Sequence, residues 1–340
     1  MSVRLDPWLD AVPANVLGRL KAAREVLVLS HENPDADTHG AAIALREILA
    51  ARGARASLVC SDLPPPLYDF LPGIDDFATD PAADRAYDLL VIVDCGSLDR
   101  VGPVRDRQAA LIATLPGVVI DHHASSSALS GDDWVDPQAA ATCELVALLA
   151  TSMDVPLTAG GGALATALMA GIVMDTATFA HPNSTPRTLA VSAALVAAGA
   201  PLADISRRLY RTKPDVQLRL FGRVLDRLQT AAGGLVIYST LKTADVAETG
   251  ALSAHSEGII DLLSQSEVAE VALLFKEAGP EATRISVRTK PGGVDATVLT
   301  GLFGGGGHAR AAGASIDGSL DEARARVLPE AERLATAVRR

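Results

Sequence analysis

Cysteine is scarce in this sequence. Its 340 residues include three cysteines, Cys60, Cys95 and Cys143, and no two of them form a CxxC pair. Such spacing offers neither a disulfide framework nor a zinc-thiolate motif, which favours a reduced, cytoplasmic setting. The N-terminus also lacks the apolar segment of a signal peptide and carries charged residues such as Arg4 and Asp6 instead.

Positive charge and long apolar runs are also in short supply. The 30 Lys and Arg residues are outnumbered by 41 Asp and Glu residues, which gives a formal net charge of −11. This balance disfavours binding to long duplex nucleic acid, but it allows a small anionic substrate held by local cations. The most apolar stretch, 163–174, is shorter than the ~20 residues of a membrane helix. We therefore expect a soluble protein with no membrane partner.

Apolar residues are plentiful, at 49%, and the chain is long enough for two domains. In the first half, apolar strand-like runs at 25–30, 56–61, 89–93 and 118–120 alternate with helical patterns such as 38–52. Strands that are apolar at consecutive positions are typical of parallel sheets buried on both faces. We predict an α/β fold with a doubly wound, mostly parallel sheet.

Strand patterns return after a helical region and a break at Gly233-Gly234. The later strands are predicted at 235–239, 268–275 and 284–289, with helices between them. We infer a second, smaller α/β domain joined to the first through helices. The predicted division is a catalytic domain over 1–187, a helical linker over 188–232 and a substrate-binding domain over 233–340.

Side chains that can bind metals follow three of the predicted strands. His31 follows the first strand, Asp94 the third, and Asp121-His122-His123 the fourth. Because the carboxyl ends of parallel strands meet at one edge of a sheet, we expect these groups in one crevice. Polar groups buried there without partners would carry a desolvation cost, which a bound cation removes.

Three more candidate ligands, Asp35, Asp37 and Asp175, lie after His31 and at the end of the apolar stretch. Taken alone, Asp37 could simply cap the helix that follows. Carboxylates and imidazoles suit hard cations such as Mn²⁺ and Mg²⁺, and their number suits two ions better than one. Two metals roughly 3.5–4 Å apart can generate a hydroxide and neutralise phosphoryl charge. The predicted chemistry is therefore phosphoester hydrolysis.

A run of four glycines at 304–307 precedes His308 and Arg310. Glycines let backbone N–H groups approach an anion closely, and the two side chains add donors. A flexible turn would also explain the run. Because Arg288 lies on a neighbouring predicted strand, we favour a phosphate or nucleotide site. Its candidate residues are Arg288, Gly305, Gly306, Gly307, His308 and Arg310.

Together these motifs resemble the DHH/DHHA1 phosphoesterase family. The resemblance covers nearly the whole chain and is strongest to members that degrade nanoRNA and dephosphorylate pAp. The matching residues are His31-x-Asn33-Pro34-Asp35-x-Asp37-x-x-Gly40, Asp94, Asp121-His122-His123, Asp175-Thr176 and the segment 304–313.

The resemblance implies a centre of two Mn²⁺ ions, with Mg²⁺ as the alternative, in a cleft between the two domains. His123 would assist the leaving group or orient the nucleophile, and Asp121 would orient the imidazoles. Asp94 would bridge the ions. The ligands would be His31, Asp35 and Asp94 for one ion, and Asp37, Asp94, His122 and Asp175 for the other.

The resemblance also implies that the second domain holds the nucleotide end of the substrate through the glycine run, His308 and Arg288. Arg310 and Asn183 are further candidates for substrate contact. His39 departs from the family pattern. It is either a group just outside the metal ligands or a helix residue that faces solvent, and we favour the second. A homodimer is compatible with the Ala-rich helices.

The predicted function is a metal-dependent phosphodiesterase that releases mononucleotides from very short oligonucleotides, with pAp 3′-phosphatase activity. The alternatives within the same fold are a RecJ-like single-strand exonuclease, a cyclic-dinucleotide phosphodiesterase and an inorganic pyrophosphatase. From another class, a catalytically inactive nucleotide-binding regulator is the alternative, although every predicted ligand is present. The sequence leaves substrate length, RNA or DNA preference and polarity of attack open.

Overall fold

A computed structural model describes residues 3–124, 126 and 132–338. It divides the chain into two compact units, Met1–Thr212 and Lys213–Arg340. The predicted fold class is confirmed, because a parallel sheet lies in the first unit and a mixed sheet in the second. The three-part division with a linker at 188–232 stays a prediction.

Within the described residues, the first unit is built on five parallel strands in the order β2-β1-β3-β4-β5. The strands are β1 (Glu25–Leu29), β2 (Arg55–Val59), β3 (Leu89–Val93), β4 (Gly117–Asp121) and β5 (Trp134–Val135). The helices are α1 (Ala14–Ala22), α2 (Ala36–Ala51), α3 (Pro103–Arg107), α4 (Ala109–Thr114), α5 (Thr142–Ser152), α6 (Ala163–Thr176), α7 (Pro186–Ala197) and α8 (Leu202–Ser206). Strand β3 is buried along its whole length, which explains its unbroken apolar sequence.

Helices α2, α5 and α6 pack closely because two glycines lie at their contacts. A Cβ atom on Gly40 would lie 2.4 Å from the carbonyl oxygen of Ala167. On Gly171 it would lie 2.4 Å from Cys143 Sγ and 2.5 Å from Asp37 Oδ1. The missing side chains therefore set the distance between the helices that carry Asp37 and its neighbours.

By length and composition, the segment Ala159–Thr176 could span a membrane, and 56% of it is buried inside the fold. A bent pair, Pro186–Ala197 and Leu202–Arg211, meets the same criteria only when its helices are taken together. A buried core helix of a globular protein can have the same length and apolar composition. Since α6 packs against α2 and α5, its apolar sequence is explained by packing.

The second unit has a mixed sheet in the order β10-β11-β9-β8-β7-β6 within the described residues. Its strands are β6 (Gln229–Ala231), β7 (Val236–Leu241), β8 (Val271–Gly279), β9 (Ala282–Thr289), β10 (Gly306–His308) and β11 (Ala311–Asp317). Its helices are α9 (Asp215–Asp226), α10 (Thr243–Thr249), α11 (Ile259–Leu263), α12 (Ala296–Gly301) and α13 (Leu320–Val338). Alternate residues of β8 face two separate cores, one with α12 and α13 and one with α9 and α11.

His39 does not face solvent, so that expectation was wrong. Its side chain is fully buried on the first turn of α2, and its ring packs edge-on against Phe77 with 4.7 Å between centroids. Neither ring nitrogen has a hydrogen-bond partner among the described residues. This end of α2 is covered on all sides, so no face of its first turn reaches solvent. Burial, followed by the charge of His31, lowers the pKa of His39 to about 3.

Replacing His39 with Leu is expected to stabilise the fold by about 1 kcal/mol at neutral pH, because unpartnered buried nitrogens are costly. The stabilisation caused by H39L should be larger at acidic pH. Between the ordinary pKa of 6.5 and the folded value of about 3, only the unfolded chain binds the proton, so wild-type stability falls as pH drops. At pH 5 this proton binding lowers the free energy of unfolding of wild type by about 2 kcal/mol relative to neutral pH.

Urea unfolding of wild type and H39L at neutral pH and at pH 5 measures both effects. His255→Leu in the second unit is the matched control, because it also removes one imidazole. A stability difference between wild type and H39L that does not widen in acid would contradict this account.

Candidate metal centre

The predicted metal ligands converge at the carboxyl ends of β1, β3 and β4. Their ligand atoms form three overlapping groups, and within each group the atoms lie within 4.8 Å of one another. The groups are His31, Asp35 and Asp94; Asp37, His122 and Asp175; and Asp94, His122 and His123. Parallel pairing places β1 beside β3 and β3 beside β4, so residues distant in sequence meet at one edge.

His31 and Asp94 meet through a threonine. His31 Nδ1 lies 2.7 Å from the Glu32 carbonyl oxygen, and Nε2 lies 2.6 Å from Thr38 Oγ1, itself 2.6 Å from Asp94 Oδ2. Burial disfavours protonation of His31, but its interactions with Asp94 and the Glu32 carbonyl outweigh this and raise its pKa. The Asp94 backbone has φ of 55°, a left-handed conformation that non-glycine residues adopt at a cost.

Asp35, not Asp37, caps helix α2. Asp35 Oδ1 accepts hydrogen bonds from the N–H groups of Asp37, at 2.9 Å, and Thr38, at 3.1 Å. The fully buried carboxylate of Asp37 turns instead to the start of α5, where the N–H groups of Thr142 and Cys143 donate to it at 2.7 and 2.9 Å. The alternative that Asp37 is simply a helix cap is therefore wrong.

Four carboxylates crowd this region. Burial, and then repulsion from the other carboxylates, raises the pKa of Asp35, Asp37 and Asp175. Burial acts on Asp94 in the same direction, but His31 and His122 reverse it and lower the Asp94 pKa. The crowding leaves negative charge that a cation would balance, and carboxylates with imidazoles fit a hard divalent ion.

The two histidines of the Asp-His-His run face different partners. His122 Nε2 lies 3.2 Å from Asp175 Oδ2 and 3.6 Å from Asp94 Oδ1. His123 Nδ1 lies 2.8 Å from Asp121 Oδ1, and this hydrogen bond raises the pKa of His123. Asp121 also accepts from the backbone N–H groups of both histidines. Thus Asp121 orients the His123 ring directly, whereas the His122 ring is held elsewhere, at the Ala139 carbonyl.

Two threonines at this site were missed by sequence reasoning. Thr38 Oγ1 and Thr142 Oγ1 lie within hydrogen-bond distance of opposite oxygens of Asp94, at 2.6 and 3.1 Å. In the sequence, Thr38 indicates only the start of a helix. Thr142 opens the apolar run of α5, and a hydroxyl residue just before such a run is the signal that could have drawn attention to it.

In the second unit, the glycine run forms part of a hairpin and not a flexible turn. Gly306, Gly307 and His308 make up β10, which pairs antiparallel with β11. A Cβ atom on Gly305 would lie 2.2 Å from the Gly313 carbonyl oxygen. His308 and Arg288 both pair with Ala311, from opposite sides, so they share one row across the sheet.

Two candidate substrate contacts are bonded to the backbone of the protein itself. The Arg310 guanidinium donates to the carbonyls of Lys290 and Val294. Asn183 Nδ2 donates to the carbonyl oxygens of Ala140 and Asp175, at 3.1 and 3.3 Å. Their role in substrate binding stays a prediction.

The comparisons with known proteins agree with this architecture. The N-terminal domain of the DHH family matches residues 25–172, and the DHHA1 domain matches residues 233–336. The chain therefore belongs to the DHH/DHHA1 phosphoesterase family.

Its relatives include proteins named bifunctional oligoribonuclease and PAP phosphatase NrnA. The one from Thermus thermophilus is 32% identical over 89% of this chain and 88% of its own length. The one from Bacillus subtilis is 26% identical over 91% and 94%, respectively. A crystal structure of an exopolyphosphatase-related protein from Bacteroides fragilis shares the fold, with a TM-score of 0.85 and 21% identity over 96% of this chain and 98% of that one.

Proposed function

We propose that this chain is a cytoplasmic, Mn²⁺-dependent phosphodiesterase that releases mononucleotides from very short oligonucleotides and removes the 3′-phosphate of pAp. The observation that carries the proposal is the convergence of carboxylate and imidazole groups at one sheet edge. Relatives named for both activities, one of them 32% identical, support the choice of substrate.

The donor set indicates which residues would hold the metals. When bound, Mn²⁺ or Mg²⁺ would lower the pKa of water and neutralise charge on a phosphoryl oxygen. The proposed ligands are His31, Asp35, Asp37, Asp94, His122 and Asp175. Thr38 and Thr142 hold the shared carboxylate of Asp94 in place.

His123 is the proposed proton donor to the leaving oxygen. Its side chain is 30% exposed, so a substrate can reach it. The hydrogen bond with Asp121 engages Nδ1 and favours the protonated ring, which leaves the Nε2 proton for donation. Asp121 thus acts on the reaction through His123.

In the second unit, the glycine hairpin, His308 and Arg288 are the proposed contacts to the nucleotide. Arg288 Nε lies 2.9 Å from Asp261, whose side chain is 55% exposed, so this ion pair is weak enough to exchange for a phosphate. Replacing Arg288 with Gln is expected to raise KM for a 5′-phosphorylated dinucleotide about tenfold, the loss of one charged hydrogen bond. The turnover number should change little, because this residue is assigned to binding.

Steady-state kinetics with R288Q and with Arg324→Gln check this expectation. Arg324 also forms a surface ion pair in the second unit, with Asp321. An equal rise of KM in both variants, or an unchanged KM in R288Q, would remove Arg288 from the substrate site.

Product analysis on labelled substrates tests the function itself. A dinucleotide, a pentanucleotide, a long single strand, pAp, a cyclic dinucleotide and pyrophosphate are each incubated with Mn²⁺, with Mg²⁺ and with EDTA. We expect metal-dependent release of mononucleotides from the two shortest oligonucleotides and of phosphate from pAp. Faster degradation of the long strand would support the RecJ-like alternative, and turnover of pyrophosphate alone would overturn the proposal.

A further inference from the structure

The segment 136–141, between β5 and α5, determines how the His122 ring is held. His122 Nδ1 lies 3.3 Å from the carbonyl oxygen of Ala139. With the Nδ1 proton donated to this carbonyl, Nε2 keeps its lone pair directed toward Asp175 and Asp94. The position of the Ala139 carbonyl therefore selects both the orientation and the tautomer that a metal ligand needs.

Arg187, on the first turn of α7, holds the residues on both sides of Ala139 in place. Arg187 Nη1 donates to Asp136 Oδ2 at 2.8 Å, on one side of Ala139. Arg187 Nε pairs with Glu144 Oε1, and the Ala140 N–H donates to Glu144 Oε2 at 3.3 Å, on the other side. One guanidinium thus fixes the backbone before and after the carbonyl that receives His122.

Glu144 is a costly residue to place here for stability alone. Its side chain is fully buried, and its second oxygen also accepts from Thr188 Oγ1 at 2.7 Å. Apolar side chains of similar volume can often replace a buried ion pair without loss of stability. The ion pair does what apolar residues cannot, because its donors and acceptors hold backbone groups at defined positions.

We infer that Arg187 and Glu144 are positioning residues for His122, and that they set the affinity of the site for its divalent cation. The inference rests on the proposed function, since it requires a metal at His122. It goes beyond that function by assigning a role to two residues outside the ligand set, in the second half of the catalytic unit.

Two conservative variants separate geometry from charge. Arg187→Lys keeps a positive charge beside Glu144, but a single ammonium cannot reproduce the planar donors that reach Asp136 and Glu144 together. Glu144→Gln keeps the size of the side chain and removes its charge. Leu195→Ala is the matched control, because it removes a fully buried side chain from the same helix, α7.

The readout is Mn²⁺ binding to metal-free protein, measured by electron paramagnetic resonance, with thermal unfolding alongside. We expect the dissociation constant to rise about 10- to 100-fold in R187K and E144Q, as is usual for groups that orient a ligand. The control should lower the melting temperature and leave the dissociation constant unchanged. Nitrogen NMR of the protein loaded with Mg²⁺, which is diamagnetic, should show the Nδ1–H tautomer of His122 in wild type and a mixture in the two variants.

The outcomes distinguish this inference from the proposed function. Wild-type protein that binds no Mn²⁺ would overturn the proposed function. If wild-type protein binds Mn²⁺, and folded R187K and E144Q bind it with the same affinity, the positioning role alone would be overturned. Equal weakening in Leu195→Ala would also overturn it, because the effect would then follow stability and not the His122 ring.

Discussion

Asp175→Asn is expected to abolish hydrolysis and, at the same time, to make the metal-free protein more stable. Asp175 Oδ2 lies 3.2 Å from His122 Nε2, and the same carboxylate is repelled by Asp37, Asp35 and Asp94. An amide of the same size removes one negative charge from this group. We expect a gain of about 1 kcal/mol in the free energy of unfolding without metal, because burial, and then repulsion from the other carboxylates, disfavours the charged form of Asp175.

When the metal is added, the effect of Asp175→Asn on stability should change sign, so that the variant becomes less stable than wild type. Wild type would gain roughly 2.7 kcal/mol from an ion present at a hundred times its dissociation constant, whereas the variant would gain less. Hydrolysis of a dinucleotide should fall at least about a hundredfold, since a charge-stabilising group is lost. Melting temperatures with EDTA and with Mn²⁺, alongside product release, measure all three effects.

Asp154→Asn is the control for this experiment. Asp154 is exposed in the same unit, so its amide should leave stability and activity unchanged with and without metal. A variant at Asp175 that is destabilised without metal would show that the four carboxylates do not repel one another in the folded chain. Retained hydrolysis would show that Asp175 is not a ligand.

The position of the candidate ligands at the strand ends was predictable, because it depends on local sequence. His31, Asp94 and Asp121 follow or end short apolar runs, and parallel pairing then brings them together without further information. The two-residue strand β5 carries too little periodicity to be seen, and it is recognised only by its pairing with β4.

Groups that support the site could not be read from the sequence in the same way. Thr142, Glu144 and Arg187 lie on helices, and their relation to the ligands depends on how α5 and α7 pack. The burial of His39 also depends on packing that the local sequence does not show. Its place on the helix gives no sign that aromatic rings from a distant loop cover it.

Gly171→Ala is expected to destabilise the first unit by about 3 kcal/mol and to disrupt the metal site with it. The new Cβ would lie 2.4 Å from Cys143 Sγ and 2.5 Å from Asp37 Oδ1, so α6 must move or both neighbours must shift. Asp37 has no free space, because its oxygens are held by the N–H groups of Thr142 and Cys143. Activity should therefore fall even in the fraction of protein that stays folded.

The matched control gives the opposite sign. Gly18 lies in α1, where a Cβ atom would meet no heavy atom within 4 Å, so Gly18→Ala should stabilise the helix by about 1 kcal/mol. Urea unfolding and Mn²⁺ binding of both variants test the pair. If G171A were as stable as G18A and bound Mn²⁺ like wild type, the close approach of α6 to Asp37 would not govern the site. If G171A were destabilised but kept its Mn²⁺ affinity, the contact would serve packing alone.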